Sequence, residues 1–372
     1  AAYLRAVVDR HDVDLVVFDG TFVYRGVTQS CRIARVPLVW LRRGMWKDGV
    51  DRVQFDAPLT VADHVVVPAD LGEVEHDGQK GSWITRVPPV ALVSRDRLLP
   101  PAQAKGELGL DPAGQYVLVQ TGRASFEGTA SATAAVVAAV RECVPGMTPV
   151  VLVPPTLRER RLPEGVRGAV GRFPSARLLS AFELAVSAAG YNSVHENVAA
   201  CLPTVFVPYR QTLTDDQVAR AAGIADRGLG LVASSDAELR TALTTLADHA
   251  RRTVLRERLS RTGPLDGGTV AAAEIMKVLA ATRHGTVLGR SSLGAAVHGT
   301  AKLADDLGFL AADVREGRRD SALETERIYR SLAAVSRALD VESSTGLRRR
   351  ADEAAAAVLS GVAMSADGAA QR

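Results

Sequence analysis

Cysteine is scarce in this chain. Cys31, Cys143 and Cys201 are spread over 372 residues, and an odd number without CxxC spacing argues against a disulfide framework or a thiolate zinc site. It fits free thiols in a reducing cytoplasm. Long apolar runs are missing too. The longest are strand-sized, so the sequence shows neither a signal peptide nor a spanning helix, and any membrane contact is expected to be peripheral. Net charge is only +3, from 45 Lys and Arg against 42 Asp and Glu, with both signs interspersed. That pattern lacks the basic stripe of a nucleic-acid-binding surface. Arginine far outnumbers lysine and alanine is abundant, a composition correlated with GC-rich bacterial genomes.

What is present is an alternation of strand-sized apolar runs and helical patterns, the mark of parallel α/β domains. The length allows two or three domains with a sizeable core. Runs at 15–18, 37–41 and 64–68 are continuous in apolar residues and predict strands buried on both faces. They belong to a first domain, 1–93, and because Ala1 falls inside the helical pattern 3–10 this domain is expected to be N-terminally incomplete. Residues 87–101, rich in proline, read as the passage to a second domain, 94–282. There the pattern gives helix 102–108, strand 116–120, helix 130–141, strand 149–153, strand 230–233 and helices near 236–248, 249–261 and 268–281. Residues 283–372 change character and predict a helical extension with helices at 303–314, 321–339 and 347–359. Ile328, Leu332, Val335 and Leu339 form one apolar stripe, whose partner is its neighbours, the body of the protein or a second chain.

The most informative stretch is 186–217, VSAAGYNSVHENVAACLPTVFVPYRQTLTDDQ. Gly190 opens a turn, and Val194, Val198 and Cys201 recur at helical spacing, so a short helix begins near it with Asn192 or Ser193 as the expected N-cap. The free N–H groups of such a helix start, with its partial positive charge, can hold a diphosphate without a lysine or a metal. Glu196, about one turn into the helix, can accept two hydrogen bonds from the vicinal hydroxyls of a ribose. His195 faces another direction and reads as a surface or packing residue. Leu202-Pro203 stops the helix, 204–207 is a buried strand, and Asp215, Asp216 and Gln217 start the next helix with polar side chains toward the same crevice.

This stretch resembles the donor-binding signature of GT-B glycosyltransferases, in particular the plant and bacterial UDP-glycosyltransferases and the MurG-like N-acetylglucosaminyltransferases. Gly190, Asn192, Ser193 and Glu196 fall on the family's G-W-N-S-x-x-E, with Tyr191 in place of Trp. Pro203 and Pro208 fall on its two prolines, and Asp216 and Gln217 on its D-Q pair. The resemblance implies two Rossmann-like domains around a cleft, the turn Gly190–Ser193 on the donor diphosphate, Glu196 on the ribose, and Asp216 and Gln217 on the transferred sugar. The His that usually precedes the turn by two positions is Ala188 here. Thr121, Gly122 and Arg123 match a small-residue loop near the diphosphate, and Arg123, able to donate a forked pair of bonds, is the candidate to replace that His.

On the first-domain side, Asp19 follows a strand and should emerge at the carboxyl edge of its sheet, where open α/β domains bind ligands. Its position matches the Asp that orients a catalytic His in inverting members of the family; that His belongs to a loop absent from this chain. Asp19 then supports the base or serves as it, or simply caps the following turn. Arg42, Arg43 and Trp46 end the next strand, where they bind an anionic acceptor, dip into an acidic membrane surface, or close the cleft as domain interface. Asp12-Val13-Asp14 spells a metal-binding DxD but precedes a strand, on the wrong edge. Gly228-Leu229-Gly230 also precedes a strand and is no dinucleotide loop.

By this resemblance the chain is expected to be a metal-independent, inverting enzyme with a UDP-sugar as co-substrate and no cofactor. Its acceptor would be a lipid-linked or cell-envelope glycan, and its place the cytoplasm or the inner face of the plasma membrane. A donor-binding subunit that needs a second polypeptide, as in the two-subunit N-acetylglucosaminyltransferase of dolichol-linked oligosaccharide assembly, is one alternative. A GT-B nucleotide-sugar epimerase is another, but it would need acid and base carboxylates in the first domain that the sequence does not offer.

Overall fold

The computed structural model describes residues 2–34, 36–50, 54, 58, 61–73, 83–121, 129–153, 162, 167–170, 174–263 and 265–283. The helical extension expected beyond 283, with its apolar stripe, lies outside the described residues.

The first sheet contains β1 (Val16–Asp19), β2 (Leu38–Leu41), β3 (His64–Pro68) and β4 (Ile84–Val87), in that spatial order and parallel throughout. Val39, Trp40, Val65 and Val66 are fully buried, as continuous apolar strands with neighbours on both sides require. The first strand departs from the expected two-sided burial. β1 lies at the sheet edge and alternates half-buried with exposed residues, leaving Val17 43% exposed. β4 was not anticipated, because Ile-Thr-Arg-Val is too short and too polar to announce a strand.

The second sheet contains β5 (Tyr116–Gln120), β6 (Thr148–Val153), β7 (Arg167–Val170), β8 (Leu184–Ser187), β9 (Thr204–Phe206) and β10 (Leu231–Val232). Their order is β10-β9-β8-β5-β6-β7, again all parallel. The chain winds outward from β5 to β7 and then returns to lay β8 beside β5. That reversal is a topological switch point, and the crevice beyond the carboxyl ends of the two strands is where open α/β sheets take ligands. The last register pair there is Gln120 with Ser187, so the loops that start at Thr121 and Ala188 flank the crevice. Two Rossmann-like α/β domains are therefore the observed fold.

The chain crosses between the sheets twice, and the two crossings pair with each other. Val90 bridges Asp266, the Gly267 N–H donates to the Pro89 carbonyl at 3.1 Å and the Ala91 N–H to the Leu265 carbonyl at 3.3 Å. A Cβ at residue 267 would lie 1.8 Å from the Pro88 carbonyl oxygen, so only glycine fits. The helix Gly267–Arg283, which the sequence reading counts in the second domain, packs back on β3 and β4, where Ala271 and Val278 join Val39, Val66 and Val87 in one buried cluster.

A second close contact joins the domains. Gly223, in the helix Gln217–Asp226, stands against Gly72 of the loop after β3: a Cβ on Gly223 would come within 2.0 Å of the Gly72 carbonyl oxygen, and one on Gly72 within 2.5 Å of the Arg220 carbonyl oxygen. Backbone meets backbone, so no flexible side chain can yield. Gly223→Ala is expected to destabilise the protein by about 1–3 kcal/mol, read as a lower urea midpoint at unchanged slope. An unchanged midpoint would mean that these two segments do not touch in solution.

Candidate functional site

The candidate site is built around the carboxyl end of β8. Ala188, Ala189 and Gly190 leave the strand, and the helix Tyr191–Ala199 begins with Gly190 as its N-cap, extended at φ −67° and ψ 152°. The expected N-cap, Asn192 or Ser193, is corrected by two to three residues, because the extended-to-helical change in backbone falls at the glycine. No side chain caps this end. The first helical hydrogen bond runs from the Val194 N–H to the Gly190 carbonyl at 3.0 Å, so the N–H groups of Tyr191, Asn192 and Ser193 have no helical acceptor and point out of the helix mouth. The other end closes as a Schellman motif: Leu202 N–H donates to the Asn197 carbonyl at 2.9 Å and Cys201 N–H to the Val198 carbonyl at 3.0 Å, with Cys201 left-handed at φ +51°. Pro203 then prevents continuation, as its position in the sequence implies.

Glu196 is half-buried on the outer side of this helix. Burial alone raises its carboxyl from an ordinary 4.5 to about 7. A carboxylate held short of water can accept hydroxyl hydrogen bonds that take the place of the lost solvation. Thr121 lies at the switch point and shares a 2.8 Å hydroxyl hydrogen bond with Thr133 of the helix Thr129–Cys143. Gly122 and Arg123, the rest of the expected diphosphate loop, lie outside the described residues.

Residues of the first domain reach across to the turn. Arg43 donates through Nε to Asp19 Oδ1 at 2.6 Å and through Nη1 to Asn192 Oδ1 at 2.7 Å, so a single guanidinium joins the end of β1 to the helix start of the other domain. The ion-pair partner of Asp19 is thus an arginine. The neighbouring residues turn inward, which corrects the picture of a cationic, tryptophan-bearing loop exposed to an acceptor or a membrane. Arg42 is only 3% exposed, with its guanidinium 5.6 Å from the centre of the Trp40 ring, and Trp46 is buried in the first-domain core. The backbone of Trp46 bridges Asp215; the Lys47 N–H donates to the Thr214 carbonyl at 2.9 Å and the Asp216 N–H to the Met45 carbonyl at 2.8 Å. The backbone of this loop thus pairs with the segment 214–216 of the other domain.

Asp216 and Gln217 sit where that interface meets the turn. The Asp216 carboxylate caps its own helix by accepting from the Ala219 N–H at 2.9 Å. Gln217 Oε1 accepts from the Tyr209 N–H at 3.0 Å, which leaves Nε2 directed to the Gly190 turn, 3.8 Å from where a Cβ on that glycine would be.

The residues that hold this assembly together were not singled out in the sequence. Arg220 is fully buried between Asp70 of the first domain and Asp215 of the second, at 2.6 Å from each. Burial pulls its guanidinium toward the neutral form, and the two carboxylates outweigh that, leaving it firmly charged. Tyr191 also turns away from the crevice: its hydroxyl donates to the Ala69 carbonyl at 3.0 Å and accepts from the Val90 N–H at 3.1 Å. Its ring stacks on His195 with centroids 4.0 Å apart. His195 is fully buried, with Nδ1 2.6 Å from the Tyr191 carbonyl and Nε2 accepting from the Leu71 N–H at 3.1 Å. Burial lowers its basicity, despite the opposing pull of Asp70. Of the two roles open to it, packing is the observed one. The available signal was a lone arginine in the apolar run 218–225, one helical turn after Asp216.

No protein-family model and no curated protein matches this sequence. Among solved structures the chain is similar to the spinosyn rhamnosyltransferase SpnG, at 20% identity over 73% of this chain and 75% of that one, with a TM-score of 0.47. It is also similar to MurG of Acinetobacter baumannii, at 17% identity over 73% and 76% with a TM-score of 0.48. WaaG, a glycosyltransferase involved in lipopolysaccharide biosynthesis, is similar at 15% identity over 74% and 80% with a TM-score of 0.46. These likenesses are of fold. No helix among the described residues is long and apolar enough to cross a membrane.

The raised Glu196 carboxyl makes folding stability depend on pH. Below 4.5 it is protonated in both states; between 4.5 and about 7 the unfolded chain ionises first, so the stability present in acid is lost as pH rises through the folded value. Glu196→Gln should therefore gain stability over the parent at pH 8 relative to pH 5, measured by denaturant midpoints. Parallel pH dependence in both proteins would place the carboxylate in water.

Proposed function

We propose that this chain is a metal-independent, inverting glycosyltransferase that takes a UDP-sugar as donor and passes the sugar to an acceptor hydroxyl. The observation that carries the reading is the uncapped helix start at the second-sheet switch point, with three N–H groups lacking helical acceptors and a half-buried carboxylate one turn along. The N–H groups and the helix dipole neutralise the diphosphate both bound and as leaving group. Glu196 receives the ribose hydroxyls, and the Nε2 of Gln217, beside Gly190, faces the sugar that follows the phosphates. In the transfer, the acceptor oxygen forms its bond to the anomeric carbon as the bond to the diphosphate oxygen breaks. The leaving group keeps the electron pair, and the hydroxyl proton goes to Asp19 or to a base that Asp19 supports. The segment 1–93 then forms the acceptor side and 94–282 the donor side, apart from the last helix, which serves the first sheet. A lipid-linked or envelope glycan at a cytoplasmic membrane face is the acceptor class proposed.

One observation favours a second reading. Asp19 pairs with Arg43 instead of an imidazole, which fits a subunit that binds donor and draws its base from another chain. Transfer by the purified chain alone would dismiss that reading; donor binding with transfer only after addition of a partner would establish it.

Calorimetric titration with EDTA present is expected to show UDP binding. No heat at millimolar UDP would sink the nucleotide assignment, and binding of dTDP or GDP in its place would revise the base. Glu196→Ala should weaken UDP at least tenfold, since two charge-assisted hydrogen bonds contribute about 1.5–3 kcal/mol each before losses. Equal affinity would remove Glu196 from the site.

Gln217→Ala separates sugar from nucleotide. It should weaken the intact UDP-sugar at least fivefold and leave free UDP nearly unchanged. Equal loss for both ligands would show that residues 215–217 lie elsewhere than against the sugar.

A further inference from the structure

We propose that Arg220 is a positioning residue that fixes the phosphate turn and the sugar loop in one relation to each other and ties both to the first domain. The inference rests on the nucleotide-sugar reading above and concerns how that site is held.

Arg220 is fully buried, and three edges of one rigid plane are occupied by three different parts of the structure. Nη1 donates to the Ala189 carbonyl at 2.9 Å, the peptide immediately before Gly190. Nη2 donates to Asp215 Oδ1 at 2.6 Å and Nη1 to Oδ2 at 3.1 Å, a forked pair on the residue immediately before Asp216 and Gln217. Nε donates to Asp70 Oδ2 at 2.6 Å, while Asp70 Oδ1 accepts from the Gly72 N–H at 3.0 Å, so the third edge is anchored in the loop after β3. A planar guanidinium fixes the angles between its bonds, which a lysine ammonium does not. The distance from the turn that would hold the diphosphate to the loop that would hold the sugar is therefore set by a side chain that is bonded to both and would itself meet neither diphosphate nor sugar. A donor molecule is long enough to need both at once, whereas free UDP needs only the turn and Glu196.

Loss of the guanidinium plane should thus be felt mainly in the sugar increment, the ratio of the dissociation constant of UDP to that of the intact UDP-sugar. Calorimetry on the full chain with Arg220→Lys, Gln217→Ala and the double variant tests this. Arg220→Lys should cut the increment at least fivefold, and Gln217→Ala should cost nothing further in the Arg220→Lys background, because the loop it belongs to is already misplaced. A general loosening of the fold would instead weaken UDP and UDP-sugar together and leave the effects multiplicative, and that result would overturn the proposal. Should Arg220→Lys fail to fold, Asp215→Asn keeps the buried Arg220–Asp70 pair and loosens only the sugar-loop edge. It should reduce the increment with UDP binding kept, and an unaltered increment would overturn the proposal equally. If the parent protein binds no nucleotide at all, the glycosyltransferase reading fails first, and that outcome is distinct from either variant result.

Discussion

Burying Arg220 takes a permanent charge out of water at a cost of several kcal/mol, and Asp70 and Asp215 are what offset it. The pair Asp70–Arg220 spans the two domains, so separating them would break a fully buried ion pair and leave Arg220 with Asp215 as its remaining carboxylate. Other contacts gather around this one. His195 Nε2 and the Tyr191 hydroxyl bond the backbone of Ala69, Leu71 and Val90, and Gly72 and Gly223 let the two main chains touch. The relation between the sheets is thereby specified by satisfied polar groups and by the absence of Cβ atoms at Gly72, Gly223 and Gly267, together with the apolar cluster that seats the helix Gly267–Arg283 on the first sheet.

The same constraint shapes the crevice. Backbone bonds between 45–47 and 214–216 make the loop before Gln217 a joint product of both domains, and Lys47 adds to it by donating to the carbonyls of Arg210 and Thr212 at 2.7 and 2.6 Å. At the open side, Arg43 stands between Asp19 and Asn192. One cation there faces a carboxylate that would take part in proton removal and a helix start that would take phosphate.

Much of this was legible in the sequence. Continuous apolar runs gave β2, β3, β5 and β6 nearly to the residue, and the order of Gly190, Asn192, Ser193 and Glu196 marked the helix start at a strand end, because local turn chemistry and helical spacing are written in neighbouring residues. Long-range pairings were not. Nothing near Arg220 names Asp70 as its partner, 150 residues away, and an arginine among alanines reads equally as a surface residue. Tyr191 and His195 sit inside the stretch 190–196 yet face the other domain, since residues i and i+4 share a face of the helix while Asn192 and Glu196 share the next. The inward turn of Arg42 and Trp46 was hidden for the same reason: their partners are a ring two residues back and a strand-like segment from another domain. β4, β7 and the packing of the helix Gly267–Arg283 on the first sheet also depend on tertiary neighbours, which override weak local patterns.

The central claim is that a diphosphate is held by the free N–H groups of Tyr191, Asn192 and Ser193 across from Arg43. Hydrogen exchange of the full chain with and without a UDP-sugar tests it most directly, because amides without helical acceptors exchange quickly until something accepts their bond. The account predicts that added UDP-sugar slows exchange at 191–193, with slowing at 43–47 as the interface tightens. Exchange at 191–193 that stays fast in saturating UDP-sugar, or protection confined to another part of the chain, would contradict it.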